Sequence, residues 1–339
     1  MSIPKSILFT SFGVALTLGV IFLVKTMTST SSETETETET AISETITPTM
    51  VPSTPTMTQN AGSAGILDHD TYISFSNDPT SFPTGTLVTE SASVPDLLIC
   101  GVDSSACKKG EFLIYFVDPL NEMDSMEGIS FIRSTDSGKT WSDREPISVI
   151  GKVNKGPAVD PSVVQLSDGT VRMYYYGPDK PFGSGPVIEG EEHLVYSATS
   201  LDGATFTADA GTRLSVENLT DPEVISFGSQ WIMYYSVGMS SGVAVSDDGL
   251  LFSDKGIIPL ATGGVPGALA VDDGVYMYGC KQGITSAFSS DGITFSNLTK
   301  SILPPGTGGF CDPALAEFEN EIVLVYKIAP PKTKTPVAP

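Results

Sequence analysis

Basic residues are scarce in this chain. Its 339 residues include 18 Lys and Arg against 40 Asp and Glu, a formal charge of −22. A phosphate-binding face needs clustered cations, so nucleic acid is excluded as a partner. An anionic membrane surface is disfavoured for the same reason. Acidic surfaces suit solubility and neutral or cationic ligands. Histidine is rarer still: the 2 copies, His69 and His193, stand far from the cysteines. The 4 cysteines show no C-x-x-C spacing. No metal site is therefore expected, and no cofactor. Long helical periodicity is also missing after residue 25. With 33 Gly, 24 Pro and only 17% charged residues, the composition points to many turns and short strands.

Four cysteines allow three pairings. Cys100–Cys107 and Cys280–Cys311 are expected if the compartment is oxidising; four buried free thiols are the alternative.

The N-terminus places an apolar run, Ile7 to Val24, between Lys5 and Lys25. Eighteen residues at helical rise span roughly 27 Å, about one hydrocarbon core. Residues 1–25 are read as a membrane anchor, with a cleaved signal segment as competitor. No Ala-x-Ala site follows, and either reading exports the remainder. Residues 26–64 are rich in Ser, Thr and Glu and include an E-T repeat from Glu33 to Thr40. Such a segment cannot bury enough apolar surface to offset its ordering entropy, and it reads as a disordered stalk. Residues 331–339 read as a disordered tail. The expected location is a single-pass cell membrane protein with its folded part outside the cytoplasm.

Between residues 65 and 330 the chain repeats itself, which decides the fold. One element is a turn of the form S-x-D-x-G-x-T-F/W. It occurs as Ser134-Thr-Asp136-Ser-Gly138-Lys-Thr140-Trp141, and again around Asp202, Asp248 and Ser290-Asp291-Gly292. A degenerate copy stands at Ser76-Asn-Asp78. Asp and Ser bond the turn backbone, Gly takes the left-handed position, and the aromatic residue packs beneath. A second element is a short apolar strand that begins at Asp or Pro: Val94-Pro95-Asp96, Asp160-Pro161, Asp221-Pro222-Glu223, Val265-Pro266 and Asp312-Pro313. A third is an aromatic strand, Phe112–Phe116 in the first copy and Ile322–Tyr326 in the last. Five copies of each predict an all-β, five-bladed β-propeller. The last copy lacks its outer hairpin, and the orphan copy at Tyr72 to Phe82 supplies it. An N-terminal strand is thus expected to complete the final blade and close the ring. A monomer is expected, preceded by one transmembrane helix and the disordered linker.

The stretch from Asp160-Pro161-Ser162-Val163 to Tyr176-Gly177 resembles the repeat of the five-bladed glycoside hydrolases, the arabinanases, β-xylosidases and invertases. The hairpin turn is similar to the Asp-box of sialidases and other propellers. The resemblance covers the propeller region only. It implies carboxylates at the starts of innermost strands, converging on one end of the central channel. Glycosidic hydrolysis uses two, at about 5 to 9.5 Å. In the look-alikes an Asp of the first blade acts as base, an Asp of the second tunes pKa, and a Glu of the third is the acid. The matching positions are Asp96, Asp160, and Asp221 or Glu223. Asp96 is read as falling one residue later than the others, on the opposite strand face. The third blade reads Thr-Asp-Pro-Glu where those enzymes carry Glu-Gly-Pro. Asp312 is a further substrate-binding candidate, with Trp231 and, in the long insertion after Gly177, Glu189. Each Asp before Pro is equally a good turn starter that serves the fold. Two functions follow: a hydrolase acting on a neutral glycan, or a non-catalytic propeller that binds carbohydrate or a partner at the cell surface. Arg133, Arg172 and Arg213 are read as packing residues, and the tyrosines of the middle strands as core.

Overall fold

The computed structural model describes residues 66–121, 128–178, 192–260, 262–304 and 309–330. The expected membrane segment, the stalk and the C-terminal tail lie outside these residues. Among the described residues no helix is long and apolar enough to cross a membrane.

Five antiparallel sheets follow one another along the chain. Blade I contains Ser93–Ile99, Phe112–Val117, Ile129–Ser134 and Glu145–Pro146. Blade II contains Val159–Gln165, Val171–Tyr176, Glu192–Ser200 and Thr205–Ala208, with Leu214–Glu217 also pairing to its third strand. Ser148–Ile150 pairs in parallel with the outer strand of blade II, so the chain leaving blade I is sewn to its neighbour. Blade III contains Leu219–Phe227, Gln230–Val237, Ser240–Ser246 and Ser253–Ile257. Blade IV has three strands, Gly264–Val271, Gly274–Cys280 and Ile284–Ser289, and one further bridge from Phe288 to Ser296. Blade V begins with Gly309–Phe318 and Glu321–Ala329 and is finished by Asp70–Ser76 and Thr86–Thr89. The ring closes as the repeat count predicts, with Tyr72 opposite Tyr326.

The second strands are apolar on both faces because each blade is covered on both sides by its neighbours. All six residues of Phe112–Val117 are buried. The apolar core is accordingly divided into five clusters, one per seam between blades. This is the packing of a repeat that cannot bury its faces alone. Tyr174, Tyr175, Tyr234 and Tyr235 lie in these clusters, as expected for core tyrosines.

Polar spokes run through the same seams. Tyr115 Oη donates to the Gly203 carbonyl at 2.8 Å, Tyr174 Oη to Gly249 at 2.8 Å, and Tyr234 Oη to Gly292 at 2.7 Å. Tyr278 Oη donates to the Pro79 carbonyl at 2.9 Å. Each tyrosine thus reaches the S-x-D turn of the following blade. The equivalent residue of blade V is Val325, opposite Ala314, so the closing seam lacks this spoke. Within the turns, Asp136 Oδ1 accepts from the Lys139 and Thr140 N–H groups, and Ser134 Oγ donates to it at 2.8 Å. In blade IV the serine that donates to Asp291 is Ser289, one residue before the Ser290 of the sequence pattern.

Both expected cystine pairs are present, Cys100–Cys107 and Cys280–Cys311. The first closes a loop within blade I. The second fastens the second strand of blade IV to the first strand of blade V.

Candidate active site

Each innermost strand begins in the same way. The residue before proline has a left-handed backbone: Val94 (φ 47°), Asp160 (51°), Asp221 (48°), Val265 (52°) and Asp312 (52°). Non-glycine residues seldom adopt this region, least of all a β-branched valine. At all five sites the ladder to the second strand slips, as between Ser93 and Asp96 and between Val159 and Ser162. This kink defines two rings. The ring before proline holds Val94, Asp160, Asp221, Val265 and Asp312. The ring after proline holds Asp96, Ser162, Glu223, Gly267 and Ala314, each opposite the second strand of its own blade.

The register corrects the sequence reading of Asp96. It falls two residues after the position of Asp160, not one, and its counterpart on blade III is Glu223 rather than Asp221. The ring before proline carries valine on blade I. Asp96 and Glu223 thus share one ring and Asp160 and Asp221 the other, and all four reach the channel together with Asp312.

The rings are stitched by hydrogen bonds from one blade to the next. In the ring after proline, Asp96 Oδ2 accepts from the Val163 N–H at 2.5 Å. Ser162 Oγ accepts from the Val224 N–H at 2.9 Å, and Glu223 Oε1 from the Ala268 N–H at 3.1 Å. Ser162 Oγ also donates to Glu223 Oε2 at 3.4 Å. In the ring before proline, Asp160 Oδ2 accepts from the Asp221 N–H at 3.4 Å, and Asp312 Oδ2 from the Val94 N–H at 3.0 Å. Thr220 Oγ1 donates to Asp221 Oδ2 at 2.7 Å. Asp312 is paired with Lys327 Nζ at 2.6 Å, which places a cation beside the mouth.

Crowding carboxylates into a narrow, desolvated space opposes their ionisation. Burial pushes Asp160 well above the ordinary carboxylate range, and the charge of Asp221 adds to the effect. Burial also raises Asp221, with Asp312 contributing. Glu223 rises well above its usual value through burial and then through Asp96. Asp96 is raised by burial to about 7, against the Val163 and Leu97 N–H groups that hold it down. The channel therefore retains protons that isolated carboxylates would have lost. The space enclosed by the two rings is about 20 Å³, room for one water. Asp160 and Asp221 are partly exposed at its mouth, whereas Asp96, Glu223 and Asp312 are buried.

Two expected site residues do not join this group. Trp231 pairs with Ser226, at the far end of its blade from Asp221, and packs near the Gly249 turn. Its ring serves the seam, because an aromatic residue at that register faces the next turn rather than the channel. Glu189 lies outside the described residues. Arg133 pairs with Glu111 at 2.8 Å and Arg172 with Asp209 at 3.5 Å, both away from the channel. Ser162 and Lys327 were missed. Ser162 could have been found, since it follows Pro161 as Glu223 follows Pro222. Lys327 carries no signal beyond its place after Tyr326.

No family model and no curated protein matches the chain. Solved structures do share its fold. A protein of unknown function from Dyadobacter fermentans is 15% identical over 73% of this chain and 80% of its own, with a TM-score of 0.50. Zg3597, a family 117 glycoside hydrolase of the marine bacterium Zobellia galactanivorans, is 16% identical over 72% of this chain and 87% of its own, at a TM-score of 0.46. A GH43_1 enzyme from Xanthomonas citri, complexed with xylotriose, is 14% identical over 69% and 81%, at 0.49. At 15% identity the likeness to the Dyadobacter protein is one of fold alone.

Proposed function

We propose that this chain is a glycoside hydrolase-like propeller, tethered to a membrane outside the cytoplasm, that acts on a neutral glycan at the Asp-Pro mouth of its channel. One observation carries the reading: Asp160 and Asp221, on adjacent blades, meet at the mouth partly open to solvent, with ionisation of both opposed by burial, that of Asp160 also by the charge of Asp221 and that of Asp221 also by Asp312. A pair of this kind holds one proton while the other carboxylate stays charged. The protonated member donates to the glycosidic oxygen as the bond to the sugar breaks. The charged member takes a proton from the attacking water. A neutral substrate suits this site, because an anionic sugar would meet five carboxyl groups and one lysine.

A second reading is a non-catalytic propeller that binds carbohydrate or a surface partner. It is favoured by the stitching: four of the five carboxyl groups also accept a backbone N–H from the next blade, a task that needs no chemistry. Asparagine separates the two, because its amide oxygen still accepts that hydrogen bond but cannot shuttle a proton. The full-length chain is assayed on aryl glycosides and neutral polysaccharides beside Asp160→Asn and Asp221→Asn. The hydrolase reading expects turnover that falls at least about 100-fold in each variant, with the fold retained by circular dichroism. Glycan binding without turnover in the wild type would favour the second reading.

A further inference from the structure

The channel has a second half. On the side away from the Asp-Pro mouth, the innermost strands enclose a cavity of about 510 Å³. Its walls are aliphatic and include Leu97, Ile99, Val164, Ile225, Ala270 and Ala316. Asp96 and Glu223 line both this cavity and the small space above it, so these two carboxyl groups form the partition between the halves. They are 6% and 8% exposed. No Lys or Arg is among the lining residues. The turns around the rim carry exposed Asp168, Asp272, Asp273 and Glu319, and the blade I turn carries exposed Asp103 with Lys108 and Lys109. One side of the rim is preformed: Gln165 Oε1 accepts from the Gly101 and Val102 N–H groups at 2.9 and 3.1 Å, and its Nε2 donates to the Val102 carbonyl at 3.1 Å.

We propose that this lower half is a binding site for an amphipathic organic cation, its apolar body against the aliphatic walls and its ammonium group on the Asp96–Glu223 partition. The volume is that of small-ligand sites, which are mostly apolar with a few convergent polar groups. The walls supply affinity by removing apolar surface from water. The floor and rim supply the sign. An anion meets two carboxyl groups at the bottom and five at a rim that carries two lysines, whereas an ammonium brings donors to acceptor-rich oxygens. The charge of −22 steers a cation toward the rim. This site is at the opposite end of the channel from the glycan mouth and does not depend on the hydrolase reading.

The probe is hexylammonium, titrated calorimetrically into the full-length chain beside hexanol and hexanoate, which share its apolar body. Hexylammonium is expected to bind saturably and at least about ten-fold tighter than either. Ala270→Trp fills the cavity without touching the partition and should weaken binding about ten-fold or more. Ala316→Phe does the same from blade V if the first variant does not fold. Asp96→Asn with Glu223→Gln keeps the seam acceptors and should erase the preference over hexanol. Absence of saturable binding overturns the proposal. So does hexanol or hexanoate binding as tightly, or filling variants that fold and bind as the wild type does.

Discussion

At Asp96 a carboxyl group does two things at once: it accepts the Val163 N–H of the next blade, and it ionises reluctantly. Asp96→Ala leaves that buried N–H without a partner and should cost about 1–3 kcal/mol, whereas Asp96→Asn keeps the acceptor and should cost much less. Urea denaturation of the two variants gives the comparison. The pH dependence follows from the same group. Its folded pKa, about 7, stands above the ordinary 3.8, so the native state binds the proton more tightly than the unfolded chain. Its contribution is complete below about pH 4 and is lost as pH rises toward and through about 7. Asp160, Asp221 and Glu223 act in the same direction. The turn residues Asp136, Asp202 and Asp291 act in the other, because hydrogen bonds hold them at about 2. Their contribution is present above the ordinary carboxylate range and is lost only as pH falls toward 2. Melting temperature should therefore peak in mildly acidic solution and decline between about pH 5 and 8. Asp96→Asn should flatten that decline.

Among the elements, the second strands join the blades, and their tyrosines make the joints testable. Tyr234→Phe removes only the hydroxyl that reaches Gly292, and should cost about 1 kcal/mol in a thermal or urea melt without loss of structure. The elements were also where the sequence could be read best. Five Asp or Pro strand starts, five aromatic strands and five S-x-D turns recur because each blade solves the same packing problem, and a repeated solution leaves a visible period. The site was less legible. The left-handed residue before each proline advances the strand without a sequence mark of its own, so the sequence places Asp96 one residue after Asp160 when its equivalent is Ser162. Trp231 reads as a substrate-binding candidate because aromatic residues at a seam and at a mouth look alike until the register is known. Lys327 sits beside Asp312 because it stands opposite Cys311 across the first two strands of blade V, a register the sequence does not mark.

For the whole molecule, closure is the organising fact. Blade V is built from both ends of the domain, and its seam with blade I rests on Asp312, which accepts the Val94 N–H, and on apolar packing around Val325. A chain beginning at residue 66 retains every strand and should melt in one cooperative transition. A chain beginning at residue 91 loses the two outer strands of blade V and exposes the edge of Glu321–Ala329, and should aggregate or melt without cooperativity. Circular dichroism and size-exclusion chromatography distinguish these outcomes. The deep crowding of acids at the centre of a closed ring is what opposes their ionisation. A ring that excludes water strengthens every charge interaction inside it. The most direct test is a carboxyl-carbon NMR titration of the chain labelled at aspartate, with Asp160→Asn and Asp221→Asn used for assignment. The account predicts that the Asp160–Asp221 pair keeps a proton well above the ordinary carboxylate range, and that replacing either partner lowers the midpoint of the other. Two independent transitions near pH 4, unchanged by replacement of the partner, would contradict it.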